Sequence, residues 1–401
     1  MEVSLYIHVP FCSNACDYCD FYSITTKPGD SRHEHFIRTL LLEGERFLKR
    51  NVPESPLPCN TEDPLNITTV FLGGGTPSVL GPDGIGRLLR GLSELIDRFS
   101  SSRPVEITLE ANPETIDDAF LTAIRDGGIS RLSVGIQTFH GPSRRAVNRI
   151  GDETLLSRQL DLAQQYFPGS FSVDLISGLP YQDDKILLDD IAGVLLHKPA
   201  HVSLYALTTK LKIPLSAPDQ DESDRLWLCG RDALEKSGYR QYEVSNFCLE
   251  GKESLHNIRY WRMQNWIGLG PAASGTLIND EKGSGFRYTI PSDVDTWLAA
   301  KGSWFSDKHK CAALMENLDT LTLMKESILM GFRYVEGPDE DLFLRRFHLG
   351  IRDLIPKTIS AWQERGSFEE NKTALTKDGI LFLNRFLLDA FEELDAVFSS
   401  W

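Results

Sequence analysis

Cys12, Cys16 and Cys19 stand at C-x3-C-x2-C spacing within Phe11-Cys12-Ser13-Asn14-Ala15-Cys16-Asp17-Tyr18-Cys19-Asp20-Phe21. Three thiolates on one short loop suit three corners of a cubane iron–sulfur cluster, because cysteine thiolates hold such clusters. A cubane has a fourth iron, and no fourth cysteine is nearby. That iron is left open for a small ligand. The competing readings are a zinc site and three buried thiols. Zinc usually takes a C-x2-C pair plus a second pair elsewhere. Here Cys59, Cys229, Cys248 and Cys311 are scattered and read as ordinary residues. The cluster ranks first, zinc second and plain burial third.

Two other groups of residues carry chemistry. Gly73-Gly74-Gly75-Thr76-Pro77 is a glycine run that lets backbone approach a ligand closely. Alone it could equally be a turn. Glu110, Gln137, Arg149 and Asp174 are polar residues near the ends of apolar runs. A carboxylate suits hydroxyls or an ammonium, and an arginine suits a carboxylate through its bidentate fork. For any one of them, a salt bridge or helix cap is the better reading. Four across successive units favour a ligand. His256-Asn257-Ile258-Arg259-Tyr260-Trp261 is the other unusual string. Histidine is a common axial ligand of heme iron, yet a lone histidine is more often bonded to backbone.

The elements that must position these residues repeat regularly. Apolar β-type runs are expected as strands at 3–9, 68–72, 106–109, 131–136, 171–176 and 201–207. Helices are expected at 33–50, 85–99, 116–125, 155–166 and 185–196. Alternation of this kind builds βα units around a parallel sheet. Each polar motif falls at or just after a strand's C-terminal end, where parallel βα barrels place their sites. The fold class expected is therefore α/β, a partial (βα)6 barrel. A Pro-rich polar stretch at 51–66 reads as a loop. Beyond the barrel, a helix is expected at 222–238 and a strand at 239–247. Residues 256–276 read as site rather than core. Helical stretches are expected at 314–332, 339–347 and 351–365. A polar segment at 366–377 precedes a last helix at 381–394, so the C-terminal part reads as a smaller, mainly helical, winged-helix-like domain. The domain boundaries expected are 1–235 for the barrel core, 236–295 for an extension carrying the histidine string, and 296–401 for the helical domain.

Composition excludes several classes. A chain of 401 residues with 41% hydrophobic and 25% charged residues is an ordinary globular protein. No run approaches the roughly 20 apolar residues of a membrane span. The start has no basic segment, and its apolar run stops at Pro10, so no signal peptide is read. A cytosolic setting follows by default. Net charge is −15, and the densest basic cluster near a motif is only Arg144, Arg145 and Arg149. Nucleic-acid binders present a basic stripe, so nucleic acid is not an expected partner.

With these residues in view, the chain resembles the radical S-adenosylmethionine (radical SAM) proteins, whose cluster loop has the same C-x3-C-x2-C spacing. It is most similar to their oxygen-independent coproporphyrinogen III oxidase group, and there to a heme-chaperone branch. The strings Tyr6-Ile7-His8-Val9-Pro10-Phe11-Cys12, Gly-Gly-Gly-Thr-Pro, Glu110-x-Asn-Pro, Ser133-Val-Gly-Ile-Gln-Thr-Phe, Asp174-Leu-Ile-Ser-Gly-Leu-Pro and Tyr242-Glu-Val-Ser-Asn-Phe look like that group's successive motifs. So do Gly331-Phe-Arg333 and Leu375-Thr-Lys-Asp-Gly-Ile. The resemblance implies a [4Fe–4S] cluster on Cys12, Cys16 and Cys19. It implies SAM contacts from Tyr6, Gly74, Gly75, Thr76, Glu110, Gln137, Arg149 and Asp174. The decarboxylating enzymes carry a further Cys two residues after the third, where this chain has Phe21. The string His256-Asn257-x-x-Tyr260-Trp261 resembles one associated with heme in the chaperone branch. The resemblance thus implies a protein that binds heme and passes it to a heme-accepting protein, with an electron donor of the flavodoxin kind. The alternative is an enzyme that oxidatively decarboxylates coproporphyrinogen III through a SAM-derived radical. A homodimer is allowed but not demanded. The chain departs from the family at Gly151, where a His is usual, at Ser274 within Gly268-Leu-Gly-Pro-Ala-Ala273-Ser274-Gly275, and at Thr209-Lys-Leu-Lys212, where Glu-Pro-Gly-Thr is usual.

Overall fold

The computed structural model describes residues 1–49, 64–208, 217–301 and 314–399. Most of the loop expected at 51–66, the departure at 209–212, and Cys59 and Cys311 lie outside the described residues.

The first half is built from β1 (Glu2–Val9), β2 (Phe11–Cys12), β3 (Ile24–Thr25), α1 (Ser31–Leu48), β4 (Asn66–Gly74), α2 (Gly81–Phe99), β5 (Glu106–Ala111) and α3 (Asp118–Asp126). Next come β6 (Arg131–Gln137), α4 (Gly141–Ala146), α5 (Glu153–Tyr166), β7 (Phe171–Ser177), α6 (Asp184–Leu196), β8 (His201–Ala206) and α7 (Gln220–Lys236). Strands β1, β4, β5, β6, β7 and β8 lie side by side in that order, and every neighbouring pair is parallel. This is the six-stranded partial barrel expected. Helices α3, α5, α6 and α7 each begin at an aspartate, Asp117, Asp152, Asp183 and Asp219, whose side chain accepts a first-turn backbone N–H. Such a cap satisfies one of the orphan donors of a helix start.

Alternation along β1 sorts its side chains. Val3, Leu5, Ile7 and Val9 are buried in the main core against residues such as Phe36, Leu40 and Phe47 of α1. Ser4, Tyr6 and His8 face the other way, into the barrel lumen with Thr69 and Phe71 of β4. The lumen is therefore polar, and the apolar core lies outside it, between sheet and helices.

The sheet then grows beyond the six strands. The following elements are β9 (Arg240–Gln241), β10 (Asn246–Cys248), α8 (Leu255–Trp261), β11 (Trp266–Leu269), β12 (Ser274–Asn279), β13 (Ser284–Thr289), α9 (Val294–Ala300) and β14 (Leu314–Leu318). β11 pairs in parallel with the free side of β1, and β12, β13 and β14 continue antiparallel, giving a twelve-stranded sheet. The strand expected over 239–247 is instead the pair β9 and β10, which fold back on each other and onto β8. Residues 256–276, read from sequence as site rather than core, contain α8, β11 and the start of β12, and Ile267, Leu269 and Ala273 are fully buried. The stretch 314–332 is not one helix. β14 occupies its start because it completes the sheet beside β13.

The C-terminal part holds α10 (Thr320–Gly331), α11 (Glu340–Phe347), α12 (Ile351–Leu354), α13 (Pro356–Glu364) and α14 (Leu383–Ser399). Pro356, which has no backbone N–H, splits the helix expected at 351–365 and sits at the start of α13, where no donor is needed. This part is mainly helical, with an isolated bridge between Phe368 and Leu375 in the polar segment and another from Tyr334 to Glu243. It has its own core around Phe332, Phe343, Trp362, Phe368 and Phe386. Met263 and Ile278 join this second core, while most buried residues of 236–295 join the first. Among the described residues, no helix is long and apolar enough to cross a membrane.

Candidate functional site

The cysteine loop lies over the C-terminal ends of the parallel strands. Pro10 O receives the N–H of Ile24, and Cys12 O that of Thr26, so β2 and β3 pin the loop at both ends. Asp17 N–H bonds Val147 O, Asn148 Nδ2 donates to Ala15 O, and Asn14 Nδ2 donates to Asn148 O, which fasten the loop to the segment after α4. Cys12 is buried, Cys16 is half-buried and Cys19 is exposed.

The glycine loop meets it edge on. Gly75 N–H bonds Val9 O at 2.8 Å, and Thr76 N–H bonds Phe11 O at 2.7 Å. Gly74 has φ +99°, and a Cβ there would fall 2.5 Å from the His8 ring. A Cβ on Gly75 would fall 2.6 Å from Phe11 O. Only glycine fits either place. This cradle brings backbone within reach of a ligand beside the cysteines.

Glu110 and Asp174 stand further down the lumen. Gly74 N–H hydrogen-bonds Glu110, but burial and the Asp174 carboxylate outweigh it and push the Glu110 carboxyl up to about 8. Burial also raises Asp174, against hydrogen bonds from Ser203 and Ser133. Two carboxyls raised together in one lumen are poised to receive a cation or to hydrogen-bond hydroxyls. Gln137 ends β6 at φ +70°, beside a register shift against β7. Tyr6 donates its hydroxyl to His8 Nδ1 (3.1 Å), while His8 Nε2 donates to Tyr22 O (2.8 Å). Arg149 is only 9% exposed and sends Nη2 to Asn112 Oδ1 (2.8 Å) and Gly135 O (2.6 Å). Its Nη1 points at Cys16 Sγ (3.6 Å), and its buried Nε has no partner. Tyr6, Gly74, Gly75, Thr76, Glu110, Gln137, Arg149 and Asp174 thus come from β1, β4, β5, β6 and β7, with the segment after α4, to one side of the cysteine loop.

The structure brings in further residues around this site. His8 links the Cys loop to Tyr6 and roofs Gly74. Asn112 bridges Thr76 and Arg149. Buried Arg144 donates to the carbonyls of Ile136, Thr138, Ile150 and Gly151, so one side chain shapes the loops carrying Gln137 and Arg149. Gly151 has φ +102°, which favours glycine where a histidine is usual.

The residues fit an iron–sulfur cubane better than a single ion. Among the described residues, no three His, Cys, Asp or Glu side chains converge as one metal ion requires. Zinc would draw its sulfurs to about 2.3 Å from a shared centre, whereas a cubane holds each cysteine on a different iron. Beside the loop the glycine cradle brings backbone close to the cysteines, where a ligand of a cluster's fourth iron would lie, and the buried Arg149 Nε is an orphaned donor next to it.

The histidine string lies at the other end of the barrel. Glu106, at the N-terminal end of β5, accepts the backbone N–H groups of Leu255 and His256, both at 3.0 Å, so α8 is clasped across the barrel floor. His256 is 1% exposed, packs between Phe71 and Tyr260, and bonds Thr69 Oγ1 through Nδ1 (2.8 Å). The Thr69 hydrogen goes to Ser4 Oγ, so His256 Nδ1 is the donor and Nε2 keeps a bare, partnerless lone pair. Tyr260 packs on Trp266, and Trp261 meets Arg333 of the C-terminal part. Asn257 N–H faces Ser254, the cap of α8. The four residues therefore do not share one surface, and His256 is closed off in this conformation.

Residues 60–192 match the family described as Radical SAM superfamily. Heme chaperone HemW of Haemophilus influenzae is 33% identical to this chain over 396 residues, covering 96% of it and 97% of the relative. HemW of Buchnera aphidicola subsp. Schizaphis graminum is 32% identical with the same coverage. The Bos taurus protein named Radical S-adenosyl methionine domain-containing protein 1, mitochondrial, is 31% identical, covering 96% and 82%. The solved structure of coproporphyrinogen III oxidase (HemN) from Escherichia coli aligns with TM-score 0.78 at 21% identity, over 97% of this chain and 90% of that one, and shares its fold. With identity of this level running end to end through relatives of nearly the same length, the chain belongs to the HemW heme-chaperone family of radical SAM proteins.

Proposed function

We propose that this chain binds heme and hands it to a heme-dependent acceptor protein in the cytoplasm. The observation that carries this reading is the full-length kinship with relatives named heme chaperones. Phe21 agrees with it: the side chain is 66% exposed beside the cysteine loop, where the decarboxylating enzymes are expected to carry a further Cys. The coproporphyrinogen reading has weaker support, since likeness to that oxidase is likeness of fold.

In this reading Cys12, Cys16 and Cys19 would hold the [4Fe–4S] cluster, and the residues at the barrel mouth would hold SAM. Gly74, Gly75 and Thr76 would bind its methionine part, Glu110 its ammonium, and Arg149 its carboxylate. Tyr6, Gln137 and Asp174 line the rest of the pocket. When bound, cluster and SAM supply one-electron chemistry, so an electron donor of the flavodoxin kind belongs to the proposal. A homodimer is compatible with it.

Heme is the cargo. His256 Nε2 is neutral and free to ligate, and its other nitrogen is held by a hydrogen bond, as histidines that bind metals usually are. Reaching it requires α8 to leave the Glu106 clasp. A cleft of about 770 Å³ borders α8 through Arg259 and is also lined by Leu277, Phe286, Leu342 and Arg346. Its volume lies in the range of ligand sites; its arginines pair with acids of the same cleft, Arg259 with Glu2 and Arg346 with Asp280, and would exchange those partners for propionates. Asn257, Tyr260 and Trp261 would line the opened site.

Heme titration of the anaerobically reconstituted full chain, followed by absorbance, tests this. Stoichiometric binding that His256→Ala loses is expected. No binding by the parent protein, together with robust conversion of coproporphyrinogen III, would overturn it.

A further inference from the structure

A chain of hydrogen bonds joins two of the three cysteine sulfurs from outside the cysteine loop. Cys12 Sγ lies 3.4 Å from Thr76 Oγ1. Asn112 Nδ2 donates to the same Thr76 oxygen at 2.9 Å. Asn112 Oδ1 accepts from Arg149 Nη2 at 2.8 Å. Arg149 Nη1 then reaches Cys16 Sγ at 3.6 Å. The three middle members come from three places: the ends of β4 and β5 and the segment after α4.

The chemistry of each group fixes the direction of the chain. Arginine has no acceptor, so the atom of Asn112 facing it must be Oδ1. Nδ2 must then face Thr76 and donate to it. The Thr76 oxygen is thereby an acceptor on that side, and its own hydrogen is left for Cys12. Both ends of the chain thus present hydrogens to sulfur, and Asn112 bears on both. Arg149 Nη2 is held by Gly135 O as well, at 2.6 Å, so the two acceptors together aim the guanidinium.

We propose that Asn112 is a positioning residue that tunes the iron–sulfur cluster, by aiming the Thr76 hydroxyl at Cys12 and the Arg149 guanidinium at Cys16. The proposal rests on the reading that these cysteines hold the cluster. Hydrogen bonds to the sulfurs and nearby positive charge stabilise the more negative, reduced state, and so raise the reduction potential. Cys19, on the exposed side, is outside the chain. The same three residues border the proposed SAM pocket, so a ligand that draws Arg149 toward itself would weaken its bond to Cys16 and lower the potential. Occupancy of the pocket and ease of cluster reduction become linked through one asparagine.

The test is an EPR-monitored redox titration of the reconstituted full chain, with iron and sulfide measured on each sample. Asn112→Ala, Arg149→Gln and the double variant are compared with the parent. At the potential where the parent is half reduced, Asn112→Ala is expected to lower the reduced-to-oxidised ratio about tenfold, which is about 59 mV for a one-electron couple. The double variant is expected to shift less than the sum of the singles, because Asn112 acts partly through Arg149. Thr76→Val, which keeps the shape and removes only the hydroxyl, should shift the midpoint in the same direction, and it serves if Asn112→Ala does not load a cluster. Normal iron content with an unchanged midpoint in Asn112→Ala or Thr76→Val would overturn the proposal, as would fully additive shifts. A parent that takes up no iron and sulfide would overturn the cluster reading itself, which is a different failure.

Discussion

The Thr69 hydroxyl fixes the tautomer of His256 across 2.8 Å, deep in the barrel floor. Burial, with Arg259 adding to it, pushes the imidazole down to about 3. The folded value is thus below the unfolded one, so its contribution to stability is complete above about pH 6.5 and is lost as pH falls toward 3. For this one residue the loss between pH 6.5 and 5 is about 1.6 kcal/mol. Denaturant unfolding at several pH values should show His256→Phe with a shallower acid slope than the parent, by about one proton. His201, also lowered by burial, leaves a residual slope in both proteins.

Glu110 behaves in the opposite sense. Its folded value, about 8, lies above the unfolded one, so the stability it contributes is present below about pH 4.5 and lost as pH rises through 8. At neutral pH the ligand-free carboxyl is mostly protonated. A cationic ligand needs the anion, so binding should release a proton. Calorimetry of SAM binding in buffers of different ionisation enthalpy should detect up to one proton released at pH 7 and less at pH 9. Glu110→Gln should abolish the release and weaken binding.

Gly74 has no room for a side chain. Gly74→Ala forces a methyl into the His8 ring at a φ that side chains avoid. A cost of about 2 kcal/mol in unfolding free energy is expected. SAM affinity should fall further than stability alone explains, because the loop moves off the cysteines. Equilibrium unfolding and ligand binding on the same variant separate the two effects.

Arg144 holds four carbonyls without a carboxylate partner among its hydrogen bonds. Arg144→Met leaves those carbonyls unsatisfied in the interior, at about 1–3 kcal/mol for each one that finds no water. Thermal unfolding should fall sharply. SAM binding should drop as well, because the loops bearing Gln137 and Arg149 lose their common anchor.

The cysteine spacing, the glycine loop and the βα rhythm were legible because each is local. Cys12 to Cys19 needs one short loop, and each of the six parallel strands pairs with the next of the six along the chain. What stayed hidden depends on distant segments meeting. His8 looks like a strand residue until Tyr22 and Gly74 close around it. Asn112 shows its use only when Thr76 and Arg149 are both in place. The resemblance implies His256 as a heme residue, but nothing local in the sequence shows that it is buried. Its burial follows from Glu106, far upstream in sequence, clasping α8 beneath the sheet. Leu314 to Leu318 carries an apolar pattern that suits a helix, and only β13 beside it makes it a strand.

The placement of β1 between β4 and β11 also sets an order of events. Ser4 pairs with Thr69 on one side and Trp266 on the other. During synthesis the first strand gains one neighbour early but waits for most of the chain before the second arrives. Pairing across such separation is slow, and until then one edge of β1 and the lumen floor stand open. The barrel is completed last at the very strand that leads into the cysteine loop.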